Sequence, residues 1–277
     1  MKTVKAFSEL WEAREELPEP VGFVPTMGYL HEGHLSLVRE ARQECASVVV
    51  SIYVNPTQFA PDEDLENYPR DIERDLSLLE AEDVDLVWNP DSEQMYPGDY
   101  QTWVLVEEVS KPLEGAQRPT HFKGVTTIVA KLFNAVQPQK AYFGQKDAQQ
   151  AVVIQQMVRD LNYPMDIVVC PIIREPDGLA MSSRNKYLDE EERKAALCLS
   201  QGLFKAKEAF QKGLRDADAL RGIVAERVNE EPLADLQYVS CANPETLEEE
   251  DGEIERGLLS MAVFVGDTRL IDNVILG

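Results

Sequence analysis

The strongest constraint on the fold of this chain is an alternation of short apolar, β-branched runs with segments of helical spacing along its first 173 residues. The apolar runs predict strands at residues 21–25, 47–54, 84–88, 103–109, 141–143 and 165–173. Apolar residues three and four positions apart predict helices at residues 4–17, 33–44, 71–81, 124–136 and 147–161. Because strands that alternate with helices form βαβ units, the pattern predicts an α/β fold with a Rossmann-like, doubly wound parallel sheet.

The pattern changes after residue 173, and the change indicates a second, smaller domain. A loop at residues 174–184 contains glycine, proline and serine, and two charged helical segments follow it at 189–212 and 216–230. Further strands are predicted at residues 236–240, 258–265 and 269–275. We therefore predict a domain boundary near Arg174, with a larger domain over residues 1–173 and an α+β domain over residues 174–277.

The composition is that of an ordinary globular protein. With 277 residues, 44% of them hydrophobic, the chain can bury a full core. No apolar stretch approaches the roughly 20 residues of a membrane-spanning helix. The charged, amphipathic start of the chain is unlike a signal peptide and favours a cytoplasmic location. Four cysteines without a C-x-x-C pair predict buried free thiols rather than disulfides or a zinc site.

The net charge of −23 limits the partners of this chain. A protein that binds duplex DNA or tRNA needs a basic face for the phosphates, so the sequence argues against a nucleic-acid partner. A local basic patch can still bind a small anion. Arg118, His121 and Lys123 form such a basic island in the sequence, and we expect it to draw in an anionic substrate.

Two of the three histidines, His31 and His34, lie in one turn after the first core strand. In a doubly wound sheet, ligands bind at the carboxyl ends of the strands, where a helix N-terminus offers backbone N–H groups to phosphate. Gly28 and Gly33 allow a close approach of the backbone. The imidazoles could donate hydrogen bonds to an α-phosphate during in-line displacement. The alternative is a pair of helix-capping or surface histidines.

Two other phosphate-binding motifs do not account for this turn. Gly28 and Gly33 have P-loop spacing, but the lysine and the hydroxyl residue that a P-loop needs are absent. A G-x-G-x-x-G sequence is absent as well, which argues against a dinucleotide fold of the dehydrogenase type. Asp75, in the predicted helix 71–81, is a candidate Mg²⁺ contact, and the sequence assigns no metal ligand.

The turn resembles the H-I-G-H-type signature of the nucleotidyltransferase superfamily, and nearly the whole chain is similar to the pantothenate synthetase family of pantoate–β-alanine ligases. The similarity covers, in chain order, residues 24–35, 50–59, 67–70, 113–125, 143–150, 181–184 and 266–273. The resemblance implies an ATP-dependent ligase that condenses pantoate with β-alanine through pantoyl adenylate. It also implies small-molecule substrates, Mg²⁺ on the ATP, and a homodimer.

The resemblance also implies roles for individual residues. His34, His31 and Lys146 would be catalytic, and Gln58 and Gln150 would bind pantoate. Residues 1–173 would bind nucleotide and pantoate, and residues 174–277 would form a lid. The nucleotide would be bound by Met27, Gly28, Tyr29, Leu30, His31, Glu32, Gly33, His34, Gly144, Gln145, Lys146, Asp147, Ile173, Met181, Ser182, Ser183 and Arg184.

One position departs from the pattern of the family. Gln145 stands where the family usually has glutamate, so a role for a charged side chain there is lost. Two other functions remain open on the sequence alone. One is another H-x-x-H enzyme, such as a cofactor adenylyltransferase or a protein like an aminoacyl-tRNA synthetase, and the other is a non-catalytic nucleotide-binding module.

Overall fold

The computed structural model describes residues 1–61 and 63–277, and these divide into two compact units. The N-terminal unit consists of Met1–Gly144 and Val153–Pro171. The C-terminal unit consists of Gln145–Val152 and Ile172–Gly277. Residues 145–152, which directly follow a strand of the larger unit in the chain, thus belong to the smaller one.

The N-terminal unit is built on a six-stranded sheet in which every pair of neighbouring strands is parallel. Its strands are β1 (Lys2–Val4), β2 (Val21–Thr26), β3 (Ser47–Ile52), β4 (Leu86–Trp88), β5 (Lys140–Gly144) and β6 (Asp166–Cys170). The helices are α1 (Phe7–Glu15), α2 (Glu32–Glu44), α3 (Ile72–Ala81), α4 (Ser92–Met95), α5 (Glu114–Gln117), α6 (His121–Val136) and α7 (Ala148–Asp160), of which α7 begins in the C-terminal unit. The predicted doubly wound α/β fold is confirmed.

The sheet is covered on both faces because its central strands are apolar on both sides. Phe23 of β2 and Val49 of β3 belong to a core cluster that includes residues of α6, whereas Val24 and Val50 belong to a second cluster with residues of α2. Successive side chains of a strand point to opposite faces, so a strand buried on both faces is apolar at every position. This is why the sequence showed continuous runs rather than an alternation.

The order of the strands determines where the histidine turn lies. The sheet runs β1-β4-β3-β2-β5-β6, so the chain winds in opposite directions on the two sides of the β2–β5 pair. A crevice forms at the carboxyl ends of the strands at such a switch point. The turn that leads from β2 to α2 leaves the sheet there, and it carries His31 at the N-cap of α2.

The C-terminal unit packs helices on a three-stranded antiparallel sheet in the order β7-β8-β9. Its elements are α8 (Glu190–Ala195), α9 (Leu197–Gln211), α10 (Ala217–Asn229), β7 (Ala234–Ala242), β8 (Gly257–Val265) and β9 (Thr268–Leu276). The predicted helix 189–212 is divided at Ala196, which ends α8 and caps α9. Asp189 begins α8 by accepting the backbone N–H groups of Glu191 and Glu192.

The predicted opening helix is confirmed, but it begins only at Phe7, because Lys2–Val4 pairs in parallel with β4 instead. One predicted element is wrong, since residues 103–109 do not form a strand. Side chains take the hydrogen bonds of Val104 there: its N–H donates to Oγ1 of Thr127 at 3.0 Å, and its carbonyl accepts from Oγ1 of Thr126 at 2.7 Å.

The four cysteines are buried and reduced, as predicted. None of the helices formed by residues 1–61 and 63–277 is both long enough and apolar enough to cross a membrane.

Gly124 allows α6 to pack closely on the segment after β3, and its replacement tests that packing. A Cβ atom at position 124 would lie 2.3 Å from the carbonyl oxygen of Thr57, a backbone atom that cannot turn away. We expect Gly124→Ala to lower the free energy of unfolding by about 1–3 kcal/mol. Gly222→Ala in α10 is the control, since nothing lies within 4 Å of its added Cβ. This variant should raise stability by up to about 1 kcal/mol. Urea unfolding of both variants measures the difference, and equal stabilities would contradict the packing.

Candidate active site

The two histidines of the turn form the start of α2 together. His31 is the N-cap residue, and its Nδ1 accepts the backbone N–H of Gly33 at 3.1 Å. Nδ1 of His34 accepts the backbone N–H of His31 at 3.3 Å, so the pair makes a reciprocal capping box. The ring centroids are 4.1 Å apart. The capping role considered from the sequence is therefore real, and it fixes both rings.

This capping geometry determines the protonation of the rings. A ring nitrogen that accepts a backbone N–H carries no proton itself. Since both Nδ1 atoms accept such bonds, each neutral imidazole carries its proton on Nε2. In each neutral ring Nε2 is therefore the donor atom, and an imidazole N–H is suited to an oxygen that gains negative charge.

The residues before the histidines are held by a buried carboxylate. Asp75 in α3 is 1% exposed, and it accepts the backbone N–H groups of Tyr29 at 2.7 Å and of Leu30 at 2.8 Å. Gly28 and Tyr29 have φ values of 81° and 50°. Gly28 also lies against Asp75, since an added Cβ would be 3.1 Å from the carboxylate oxygen Oδ2. A glycine is needed here for the dihedral angle and for the space.

Asp75 thus holds the backbone of this turn, a role that the sequence did not indicate, and its contact with Mg²⁺ stays a prediction. Both of its oxygens are occupied by backbone donors. Burial raises the pKa of Asp75, and the hydrogen bonds from Leu30 and Tyr29 oppose that rise.

A cavity of about 440 Å³ adjoins this carboxylate and is lined by Met27, Gly28, Tyr29, Ile52, Tyr53, Val54, Arg70, Asp71, Ile72, Asp75, Asn89, Pro90, Asp91 and Ser92.

The expectation that backbone N–H groups at the start of α2 face a phosphate is wrong for several of them. The N–H groups of His34 and Leu35 donate to the carbonyl of His31, and that of Gly33 donates to the His31 ring. Those of Tyr29 and Leu30 donate to Asp75. The carboxylate of Glu32 pairs with Arg39 on the exposed face of α2.

Gln58 follows β3 in a short 3-10 helix, Pro56–Gln58, and its side chain is half-buried. Its Oε1 accepts from Nδ2 of Asn55 at 3.0 Å, and its Nε2 donates to Sδ of Met27 at 3.2 Å. Asn55 is 1% exposed, and its Oδ1 accepts from Thr57 and from the hydroxyl of Tyr96. The Gln58 amide is therefore oriented by a buried asparagine, and the acceptor that the described part of the chain gives its N–H end is a weak one.

The basic island expected at Arg118, His121 and Lys123 is not a free cationic patch. Arg118 binds both carboxylate oxygens of Glu63 at 2.6 Å each. Lys123 lies on the ring of Trp103, with its Nζ 4.5 Å from the centroid. His121 is buried, and its Nδ1 donates to the carbonyl of Gln58 at 2.8 Å. Burial and the nearby Arg118 lower the pKa of His121 to about 4, so this ring is neutral.

In the C-terminal unit, residues 145–147 form a short 3-10 helix before α7. Lys146 is half-buried, with its Nζ 3.7 Å from Oδ1 of Asp147. The amide of Gln145 donates to Oδ1 of Asn273 in β9 at 3.2 Å. Glutamate at position 145 could not donate this bond. The departure from the family pattern thus coincides with a hydrogen bond that requires an amide.

The segment 181–184 is positioned by a hairpin in the same unit. The N–H of Met181 donates to the carbonyl of Ile173 at 3.0 Å, and Arg174 bridges to Ala180. Oγ of Ser182 accepts the N–H of Arg184 at 3.2 Å and begins the 3-10 helix Ser183–Tyr187. The hairpin therefore places Ile173 beside Met181.

The predicted site residues thus form two groups, each ordered within its own unit. The N-terminal unit contains the turn 27–34, Gln58 and Gly144, whereas the C-terminal unit contains residues 145–147, Gln150, Ile173 and the segment 181–184. Sequence reasoning missed the roles of Asn55 and Asp75. A polar residue after β3 and an acidic residue in an amphipathic helix were their only signals. Within residues 1–61 and 63–277, no cluster of three or more acidic, histidine or cysteine side chains could hold a metal ion.

The buried, neutral His121 predicts a specific dependence of stability on pH. Its folded pKa of about 4 lies below the ordinary value of 6.5, so between these values the unfolded chain binds a proton that the folded chain does not. The contribution of the neutral His121 ring to the free energy of unfolding is fully present above pH 6.5. It is lost as the pH falls towards 4, and the loss amounts to roughly 3 kcal/mol. His121→Asn keeps an N–H donor near the Nδ1 position and cannot titrate. Urea unfolding from about pH 4 to 7 should therefore show a weaker pH dependence in this variant. Parallel curves would contradict the assignment.

Comparisons with known proteins identify the family of this chain. The family model for pantoate-beta-alanine ligase matches residues 1–275. Pantothenate synthetase from Roseiflexus sp. (strain RS-1) is 55% identical over 276 residues, which cover 100% of this chain and 99% of the relative.

Solved structures agree as well. The crystal structure of pantothenate synthetase from Thermus thermophilus is 46% identical with a TM-score of 0.95, and the match covers 99% of each chain. Pantoate-beta-alanine ligase from Francisella tularensis, complexed with beta-gamma ATP and beta-alanine, is 34% identical with a TM-score of 0.83, over 99% of this chain and 97% of that one. From the first strand to the last, this chain belongs to the pantoate–β-alanine ligase family.

Proposed function

We propose that this chain condenses pantoate with β-alanine at the expense of ATP, through a pantoyl-adenylate intermediate, and releases AMP and pyrophosphate. The observation that carries the proposal is the match to the ligase family over residues 1–275. The complex of the Francisella tularensis relative with beta-gamma ATP and beta-alanine supports the same substrates here.

The reaction has two steps. A carboxylate oxygen of pantoate attacks the α-phosphorus of ATP, and the bond to the β-phosphate oxygen breaks, which gives pantoyl adenylate and pyrophosphate. The amine of β-alanine then attacks the acyl carbon and loses a proton, and AMP leaves with the electrons of the C–O bond. Activation is needed because the carboxylate itself has no good leaving group. Neither step needs a covalent bond to the protein.

His34 and His31 are proposed as the donors that stabilise charge on the α-phosphate. Their Nδ1 atoms accept backbone N–H groups, which supports neutral rings with a donor at Nε2. Because the turn fixes both rings in advance, little reorganisation is needed as the negative charge develops. Lys146 would add a cation on the phosphate oxygens.

The remaining nucleotide contacts in the proposal come from residues of both units. Ser182, Ser183 and Arg184 supply hydroxyl and guanidinium donors suited to a polyphosphate. Ile173 would lie against the adenine, and Asp147 would accept from the ribose. The other proposed nucleotide contacts are Met27, Gly28, Tyr29, Leu30, Glu32, Gly33, Gly144, Gln145 and Met181.

Gln58 and Gln150 are proposed to bind pantoate, and Gln58 later β-alanine. For Gln58 the proposal is supported by the pairing of its amide: Oε1 is held by Asn55, whereas the partner of Nε2 among residues 1–61 and 63–277 is the sulfur of Met27. A substrate hydroxyl or carboxylate is a much stronger acceptor than a thioether. Binding could therefore exchange a weak partner for a strong one without turning the amide.

Mg²⁺ enters the proposal with the nucleotide, as MgATP. The proposed phosphate contacts are hydroxyl groups, which donate to phosphate oxygens, and cations, which would not bind a metal ion. Mg²⁺ commonly binds the phosphates of the substrate and keeps several waters. Its chemical contribution would be to neutralise charge on the departing pyrophosphate.

Three further properties stay predictions. The lid role of residues 174–277 and the homodimer rest on the resemblance to the family, and the cytoplasmic location rests on the character of the N-terminal sequence. One assay distinguishes the proposed ligase from an adenylyltransferase and from a binding module. The ligase releases both AMP and pyrophosphate, and only when pantoate and β-alanine are present. Pyrophosphate without AMP would indicate an adenylyltransferase, and no turnover would indicate a binding module.

The role of His34 can be tested by replacement. His34→Ala removes the Nε2–H donor, and we expect pantoyl-adenylate formation to fall by roughly 10²–10³-fold. Pantoate-dependent exchange of pyrophosphate into ATP measures this step, and circular dichroism checks the fold. Exchange at the wild-type rate in a folded variant would remove His34 from the mechanism.

The loop-holding role of Asp75 makes a separate prediction. Asp75→Asn replaces one acceptor oxygen by an NH₂ group that faces a backbone N–H, so the histidine turn should shift and adenylate formation should fall about tenfold or more. The Mg²⁺ concentration for half-maximal activity should not change. Asp71→Asn is the control, because Asp71 is an exposed cap of the same helix that accepts only the N–H of Arg74. A large shift in the Mg²⁺ requirement of Asp75→Asn alone would show that Asp75 binds the metal.

A further inference from the structure

Two adjacent polar residues, Asp272 and Asn273, interrupt the apolar strand β9 of the C-terminal unit. Both are 2% exposed. Buried carboxylates and amides are costly unless each polar atom has a partner. The side-chain partners of Asn273 lie in the segment 145–147, which the proposed function assigns to the phosphates, and that of Asp272 is Arg174, in the hairpin that leads to the segment 181–184.

Asn273 holds the backbone of the Gln145–Lys146 segment. Its Nδ2 donates to the carbonyl of Gln145 at 2.9 Å and to that of Lys146 at 3.0 Å. Its Oδ1 accepts from Nε2 of Gln145 at 3.2 Å. Three hydrogen bonds from one buried side chain thus fix the segment from which the Lys146 side chain extends.

Asp272 holds the hairpin that leads to residues 181–184. Its two oxygens accept from the Nη atoms of Arg174 at 2.7 and 2.8 Å, and one of them also accepts the N–H of Asn273 at 2.7 Å. Arg174 in turn donates to the carbonyl of Gly178 at 3.1 Å and lies over the ring of Phe204. The guanidinium therefore connects the carboxylate of β9 to both sides of the hairpin.

We propose that Asp272 and Asn273 are positioning residues, which set the phosphate-binding segments 145–147 and 181–184 of the C-terminal unit from one point on β9. The inference rests on the proposed function for the role of Lys146 and Arg184. It goes beyond that function in assigning the placement of those side chains to a dipeptide that need not touch the nucleotide.

The glutamine at position 145 adds a third hydrogen bond to this arrangement. The two carbonyls of residues 145 and 146 determine which end of the Asn273 amide faces them, and Oδ1 then faces residue 145. Glutamine supplies an N–H to that oxygen, whereas an ionised glutamate would have to turn away. In this chain residue 145 therefore contributes to the placement of the segment through its amide.

Asn273→Ala tests the placement of Lys146. The two carbonyls lose their donor, and a displacement of about 1 Å in a binding group can cost up to ~10²-fold, so we expect the KM for ATP to rise at least about tenfold. The KM for β-alanine should stay within about twofold. A KM does not depend on how much of the enzyme is folded, so it remains informative if this variant is less stable.

Ser260→Ala is the matched control. Ser260 lies opposite Asn273 in the sheet and is 7% exposed, and its buried hydroxyl has no hydrogen-bond partner among the described residues. Its removal should leave every KM unchanged. Gln145→Ala removes only one of the three Asn273 bonds and should raise the KM for ATP by no more than about threefold. Arg174→Lys loses the bidentate contact to Asp272 and should raise the KM for ATP about tenfold.

The outcomes separate this inference from the proposed function. If Lys146→Ala raises the KM for ATP but Asn273→Ala does not, the positioning role is refuted and the proposed function stands. If Lys146→Ala leaves the KM for ATP unchanged, the proposed role of Lys146 in binding the phosphates is refuted, whatever the effect of Asn273→Ala. An equal effect of Gln145→Ala and Asn273→Ala would also overturn the inference, because the backbone contacts would then not be what matters. A rise in the KM for ATP with Ser260→Ala would overturn it as well, since any change in the sheet would then have the same effect.

Discussion

The carboxylate of Asp75 is the interaction on which the candidate site of the N-terminal unit depends. It is buried, and its two oxygens accept the N–H groups of Tyr29 and Leu30, directly before the histidines. A left-handed backbone at a non-glycine residue such as Tyr29 is unfavourable by itself, so surrounding contacts must hold it. An isolated buried carboxylate would also be unfavourable, and the two N–H donors compensate for its lost hydration. Neither feature is stable without the other.

This mutual dependence changes how an anion would be recognised in the N-terminal unit. Helix N-termini commonly bind phosphate through backbone N–H groups. Here Asp75 and His31 accept several of those groups, so the proposed function assigns the anion to the imidazole Nε2–H atoms instead. Imidazoles that are fixed by their Nδ1 atoms have a defined tautomer and orientation. The backbone donors of the turn thus serve to orient the two rings.

In the C-terminal unit, too, buried polar side chains fix the groups around them. The amide of Asn273 fixes backbone carbonyls, and the carboxylate of Asp272 fixes a guanidinium. The sequence contained a signal for this, since two polar residues inside an apolar strand need buried partners. Which segments those partners come from could not be predicted, because the contacts join segments that are far apart in the chain.

Features that show within one segment of the sequence were predictable, whereas contacts between distant segments were not, and this difference explains which other predictions succeeded. The large sheet was predictable because each strand shows its burial locally. The strand predicted at residues 103–109 was wrong because Thr126 and Thr127 take the hydrogen bonds of Val104. The basic island was wrong because Glu63 neutralises Arg118 from a distant part of the chain.

The pairing of these cations bears on how an acidic protein could bind ATP and pantoate. With a net charge of −23, the mean field of the chain opposes the approach of an anion. At physiological ionic strength, exposed charges are screened beyond about 8 Å, so the groups nearest the ligand dominate the interaction. Directed donors such as the imidazole N–H groups then contribute more than general basicity, because their strength depends on orientation and on exclusion of water. Under the proposed function, an acidic chain therefore depends on buried polar residues to place these donors: Asp75 holds the backbone before the histidines, and Asn273 holds the backbone at Lys146.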